Sequence, residues 1–273
     1  MATHQAASST WRGPGHRQGK QRGLRMDLAL VLGAAFFAGI LNAAAGGGSF
    51  LTLPALVAVG VPPVMANATG TLALLPGYFA GAWAMRRDLF IEPHRVPLWR
   101  TTVIAAVGGA IGALLLLWID QKAFRHLVPW LLLVATLIFW CAPAMLKRTQ
   151  RAGAAAGNWR GQAGLAAVSV YGGFFNGGIG IMLLALFSAS GYQSLNTMNA
   201  LKNLLSGVLT CIAVVVYVAG ALIDWQYALL MLGAALAGGY VGGRLARRIP
   251  RGALRAGIIA IGLAMTAFMF MRA

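Results

Sequence analysis

Hydrophobic residues fill the chain in blocks of about eighteen or more, separated by short polar stretches, the pattern of repeated membrane spans. Six blocks are unbroken: 64–85, 98–118 and 126–146 in the first half, and 195–219, 226–243 and 253–271 in the second. Two others are interrupted by glycine, 28–45 followed by 49–60, and 161–176 followed by 180–191. As one straight helix, residues 27–60 would measure ~50 Å against a hydrocarbon core of ~30 Å. That stretch must be a broken helix, a hairpin, or a crossing plus a re-entrant piece. The pattern predicts an all-α polytopic membrane protein with eight long hydrophobic segments, the first and fifth of them glycine-broken.

The second half resembles the first. At an offset of 132 residues Gly48 pairs with Gly180 and Asn67-Ala-Thr-Gly-Thr71 with Asn199-Ala-Leu-Lys-Asn203; at 134, Gly39-Ile-Leu-Asn42 pairs with Gly173-Phe-Phe-Asn176. Gly108-Gly-Ala-Ile-Gly112 and Gly238-Gly-Tyr-Val-Gly242 recur in the same order, as stripes suited to close helix packing. Internal repeats of this kind are a common plan of secondary transporters. The expected organisation is a disordered basic tail (1–25), a first transmembrane repeat (26–146), a polar linker (147–160) and a second repeat (161–273). Met26 is an alternative start, and cleavage of a signal peptide after the Ala43-Ala44-Ala45 run is a rival reading of the first block.

Charge then bears on topology. A net charge of +17 on a soluble chain would point to nucleic acid, but here the Lys and Arg residues sit in short loops between apolar blocks, where they set orientation and meet anionic lipid. Counting the basic residues outside the tail and apart from Lys202, single crossings by the broken blocks leave both sides almost equally basic. If each broken block is instead a hairpin, the halves become inverted five-segment repeats. All these basic residues except Lys122, Arg125 and Arg272 then fall on one side, and the positive-inside rule favours this layout. The five acids, Asp27, Asp88, Glu92, Asp120 and Asp224, lie at block ends or in loops. Cys141 and Cys211 have no metal-ligand or redox spacing and are expected as core residues; no metal or cofactor is indicated.

Candidate chemistry concentrates at the breaks. A helix interrupted within a membrane frees N–H and C=O groups that lipid cannot satisfy, so breaks persist where protein, water or a ligand supplies partners. Gly46, Gly47 and Gly48 let the backbone turn and approach a ligand, Ser49 can cap the half-helix that follows, and the positive end of such a half-helix favours an anion. Gly178 and Gly180 repeat the arrangement without serine or proline. Asn42 and Asn176 stand at the same places in the two halves, where hydrogen bonding to freed backbone competes with contact to substrate. Asn67, Thr69 and Thr71 open one long block; Asn199, Lys202 and Asn203 open the other. Lys202 is a basic residue set inside an apolar block, and no intramembrane acid is offered to pair it. A bound anion would be its partner, or its stem would snorkel to the headgroups.

The pattern Gly39-x-x-Asn42-x-x-x-Gly46-Gly-Gly-Ser49-Phe-x-x-x-Pro54-x-Leu56, then Gly60-x-x-Pro63-x-x-Ala66-x-x-Thr69, resembles the sulfite exporter TauE/SafE family of permeases. Ile223-Asp224-Trp225 and the run ending Gly243-Arg-Leu-Ala-Arg-Arg248 add to the likeness, which spans about residues 27–271. The resemblance implies a bacterial inner-membrane transporter moving sulfite or a small organosulfonate. The expected partners are a small anion and membrane lipid, not nucleic acid. A passive anion channel shares every feature above. An intramembrane enzyme is the third reading, but His4, His16, His94 and His126 all lie in the tail or loops, leaving Ser49 without a base.

Overall fold

The computed structural model describes residues 14–44, 46–93, 96–151, 159–245 and 251–272. Ten α-helices make up the fold among them: α1 (Pro14–Ala44), α2 (Ser49–Ala58), α3 (Pro63–Ala84), α4 (Leu98–Trp118), α5 (Gln121–Arg151), α6 (Trp159–Phe174), α7 (Ile179–Ala189), α8 (Leu195–Ala219), α9 (Trp225–Leu245) and α10 (Arg251–Arg272). A single 3-10 turn, Asp88–Phe90, follows α3. The spans Arg25–Ala43, Leu98–Trp118 and Leu195–Ala219 are long and apolar enough to cross a membrane.

Three expectations change here. Residues 14–25, expected as disordered tail, continue α1, and residues 1–13 lie outside the described residues. The polar linker shrinks, because α5 runs on to Arg151 and α6 starts at Trp159; residues 152–158 are not described. Cys141, expected in the core, is exposed, and Cys211 is half-buried. Pro63, second of the Pro62-Pro63 pair, opens α3, where its missing N–H costs nothing, and Pro97 is the N-cap of α4.

Side-chain pairings along the helices give their directions. Gly161, Gly164 and Gly172 of α6 face Ser190, Leu186 and Ile179 respectively, so α7 runs back antiparallel along α6. Gly48, just before α2, lies against the Ala38 carbonyl of α1. Gly81 of α3 meets Asn203 and Gly207 of α8 meets Phe79, an antiparallel pair. Gly108 and Gly112 of α4 meet Ser169 and Val170 of α6 one turn apart in the same sense, a parallel pair. These close approaches, and that of Gly238 in α9 to the Phe36 carbonyl of α1, are the helix packing expected of the glycine stripes; a Cβ at Gly112 would lie 2.0 Å from the Val170 oxygen.

The connections cluster at two ends of the bundle. At one end, the Gln121 carboxamide accepts from Val64 N (3.3 Å) and Thr69 Oγ1 accepts from Asp224 N (3.0 Å), joining the starts of α3, α5 and α9. At the other, Glu92 accepts from the backbone N–H groups of Gln193 and Ser194, and Thr197 Oγ1 donates to the Asp88 carbonyl (3.0 Å). We call these the α2 end and the α7 end, after the short helix that finishes at each. α2 and α7, at ~15 and ~16 Å, are half the thickness of a hydrocarbon core. Each therefore returns only from the middle of the bundle, and the turns that precede them lie at its centre.

Candidate functional site

The first turn closes on itself. The N–H of Gly46 donates to the carbonyls of both Leu41 and Asn42 (3.1 Å each), ending α1 with its own backbone. Gly46 has φ +83°, a conformation that glycine adopts without a Cβ clash. Gly48 is the N-cap of α2, and Ser49, expected as the cap, is its first residue; the Ser49 hydroxyl points away and donates to the Asn176 carbonyl (3.4 Å). Among the described residues no backbone hydrogen bond engages the N–H groups of Gly47, Gly48 or Ser49.

The second turn is closed by side chains, most of them from other helices. Asn67 Nδ2 of α3 donates to the Phe174 carbonyl (3.0 Å), Tyr217 OH of α8 to the Gly173 carbonyl, and Tyr171 OH of α6 to the Gly177 carbonyl (2.8 Å). Asn176 itself sits at φ +58° and Gly178 at φ +74°. The Asn176 Oδ1 accepts from Tyr78 OH (3.4 Å), while its Nδ2 is buried with no partner. Asn42 is buried too, with Oδ1 unpartnered. Among the described residues neither asparagine side chain bonds the freed backbone of its own break; Asn67 takes that role for the second turn. The N–H groups of Gly178, Ile179 and Gly180 make no backbone hydrogen bond among the described residues.

The two turns touch. A Cβ placed on Gly46 would lie 3.0 Å from the Gly180 Cα, and one on Gly180 equally close to the Gly46 Cα. Lys202 Cδ stands 3.2 Å from that same position on Gly180, and the side chain is 1% exposed. Its stem thus runs inward to the turns and not to the headgroups. Among the described residues no ion pair or hydrogen bond to the buried Lys202 is found; Asp88 and Glu92 sit at the α7 end, Asp120 and Asp224 at the α2 end, and Asp27 in the first half of α1. The centre therefore holds two helix N-termini, unengaged N–H groups, the free Asn176 amide nitrogen and a buried ammonium-bearing side chain. Together these make the centre positive and rich in hydrogen-bond donors.

Of the residues singled out by sequence, Asn42, Gly46, Gly47, Gly48, Ser49, Asn176, Gly178, Gly180 and Lys202 gather at this centre. Asn67 joins them at the second turn through its bond to the Phe174 carbonyl, and the others take different places. Thr69 is buried towards the α2 end, holding Asp224 N; Thr71 is buried within α3; Asn199 is half-buried at the α7 end and donates to the Leu195 carbonyl of its own helix (3.0 Å). Asn203 packs against Gly81 and donates to Met85 Sδ (3.8 Å). Asn199 lies a turn before Lys202, in the opening turns of α8 at the α7 end, whereas Asn203, the next residue after Lys202, points about 100° away around the helix. Tyr78, Tyr171 and Tyr217 escaped the sequence reading. Their signal was a phenol inside an apolar block, where a hydroxyl needs a partner.

Comparison with known proteins gives the chain a family. The family model for sulfite exporter TauE/SafE matches residues 31–269, and the chain belongs to that family. A "Probable membrane transporter protein" of Haemophilus influenzae is 28% identical over 256 residues, covering 89% of this chain and 94% of the relative. "Probable membrane transporter protein YfcA" of Escherichia coli strain K12 is 26% identical over 258 residues, covering 89% and 91%. No solved structure matches.

Proposed function

We propose that this member of the TauE/SafE family is a secondary transporter that carries a small anion, sulfite or an organosulfonate, across the bacterial inner membrane. The observation that carries the reading is the convergence of the α2 and α7 N-termini at Gly46 and Gly180, beside the buried Lys202. Two half-helix ends contribute partial positive charge and unengaged N–H groups, and the ammonium contributes a full charge that lacks a protein counter-ion. The relatives' names support transport, and the family's name supports sulfite.

The layout behind the proposal is a pair of inverted five-helix repeats, 26–146 and 161–273. Hairpins α1–α2 and α6–α7 dip in from opposite faces and meet near the midplane. On that layout most of the loop Lys and Arg lie at the α7 end, which becomes cytoplasmic by the positive-inside rule. Alternating access then follows from rocking one repeat against the other about the glycine contact. The test is flux of sulfite, sulfate and methanesulfonate into proteoliposomes, with wild type beside Lys202→Met. Saturable flux of sulfite or the sulfonate, lost in the variant, supports the reading. A non-saturating current favours a channel, and absence of flux of all three overturns the substrate assignment.

A further inference from the structure

Hydroxyls buried inside helices of this protein are satisfied in different ways, and among the described residues three have no hydrogen-bond partner: Thr52 Oγ1 of α2, and Ser206 Oγ and Thr210 Oγ1, which lie together on α8. Thr136, Ser169 and Thr266 each donate to the carbonyl four residues earlier, at 2.7 Å, the usual way for a helical hydroxyl to be satisfied where there is no water. Ser206 and Thr210 of α8 do not. Both are 0% exposed, and neither Ser206 Oγ nor Thr210 Oγ1 has a hydrogen-bond partner. With Lys202 they occupy positions four residues apart, so the three share one face of α8 over ~12 Å of its length. Two turns beyond Thr210, Tyr217 bonds the Gly173 carbonyl, which places this face against the second glycine turn.

Two neighbours sharpen the point. At the repeat offset Thr210 stands where Tyr78 stands in the first half, and Asn42 where Asn176 stands. Tyr78 reaches Asn176 Oδ1; the shorter threonine closes no such bond, and Asn42 Oδ1 and Thr210 Oγ1 are both left unpartnered. A buried hydroxyl without a partner costs about 1–3 kcal/mol, so two on one face beside an unpaired lysine mark a surface that something polar covers. Leu205 and Leu209, adjacent on the same helix, are buried in the apolar core instead.

We propose that Lys202, Ser206 and Thr210 form the wall along which the anion and its accompanying water move between the glycine turns and the α2 end, with the two hydroxyls donating to the anion's oxygens. This rests on the anion-transport reading above and adds residues that neither the sequence motif nor the turns include. The stripe runs from the lysine towards the end where α8 finishes. Anion released from Lys202 would meet hydroxyl donors at intervals of ~6 Å on its way out.

The experiment uses the full chain with Cys141 and Cys211 replaced by alanine, carrying Ser206→Cys, Thr210→Cys, Leu205→Cys or Leu209→Cys, reconstituted in liposomes. Each variant is treated with an anionic and with a cationic methanethiosulfonate reagent. Cysteines at 206 and 210 are expected to react about tenfold faster than those at 205 and 209, since thiol reactivity follows access and local positive charge. The anionic reagent should be the faster of the two, and methanesulfonate should slow it. Inert cysteines at 206 and 210 would overturn the stripe while leaving the Lys202 flux test standing. Rapid reaction with equal rates for both reagents and no protection would instead overturn the anion assignment itself. Ser206→Ala and Thr210→Val, which keep side-chain volume, should lower flux about tenfold with an unchanged melting temperature; unchanged flux in both would also overturn the proposal.

Discussion

The two glycine turns reach the same place by different means. The first is closed within seven residues: Gly46 turns with positive φ and its N–H caps Leu41 and Asn42. The second uses Tyr171 of its own leading helix α6 and borrows Asn67 and Tyr78 from α3, Tyr217 from α8 and Ser49 from α2. A turn capped by its own backbone can form before the rest of the bundle packs. One capped by other helices holds its shape only while those helices are in place, and it moves when they move. In the rocking motion proposed above, the first turn would be the stiff element and the second the responsive one.

The largest effect should come from the contact itself. Gly46→Ala meets both the positive φ and the Gly180 Cα, whereas Gly180→Ala meets the Gly46 Cα and the movable Lys202 stem. The left-handed conformation alone costs an L-residue about 1–2 kcal/mol. Proteoliposome flux should therefore fall further in Gly46→Ala than in Gly180→Ala; the reverse order would mean that the first turn is not the stiff one. Next comes Lys202→Met, expected to reduce sulfite or sulfonate flux by about a hundredfold, equivalent to ~3 kcal/mol of lost charge-assisted binding. Wild-type flux in that variant would remove the lysine from the site.

The capping difference itself is open to test by melting in detergent. Asn67→Leu and Tyr217→Phe each leave a buried carbonyl of the second turn without its donor, a cost of about 1–3 kcal/mol. Both should lower the melting temperature; a pair of unchanged melting curves would contradict the borrowed-cap account. Ser49→Ala should be milder, a change of about threefold in flux, because its bond to the Asn176 carbonyl is long at 3.4 Å. Smallest is Asn199→Ala. Its amide serves its own helix at the α7 end, so flux should stay within about twofold of wild type, the scale of a half-exposed surface substitution.

What the sequence by itself determined is the set of features that depend on neighbours along the chain. Apolar block length set the long helices, glycine set the two breaks, and Gly108, Gly112 and Gly238 announced where helices pack close. It also located the half-helix N-termini, which carry free N–H groups wherever they are placed. Only the tertiary structure decided that Gly46 meets Gly180, that Lys202 turns inward, that Thr69 belongs to the α2 end, and that tyrosines hold the second turn. Several of those pairings join residues far apart along the chain: 44 positions for Tyr217 and Gly173, 98 for Tyr78 and Asn176, and 155 for Thr69 and Asp224. Helical periodicity states which residues share a face of one helix; which face meets which helix is settled by packing the whole bundle.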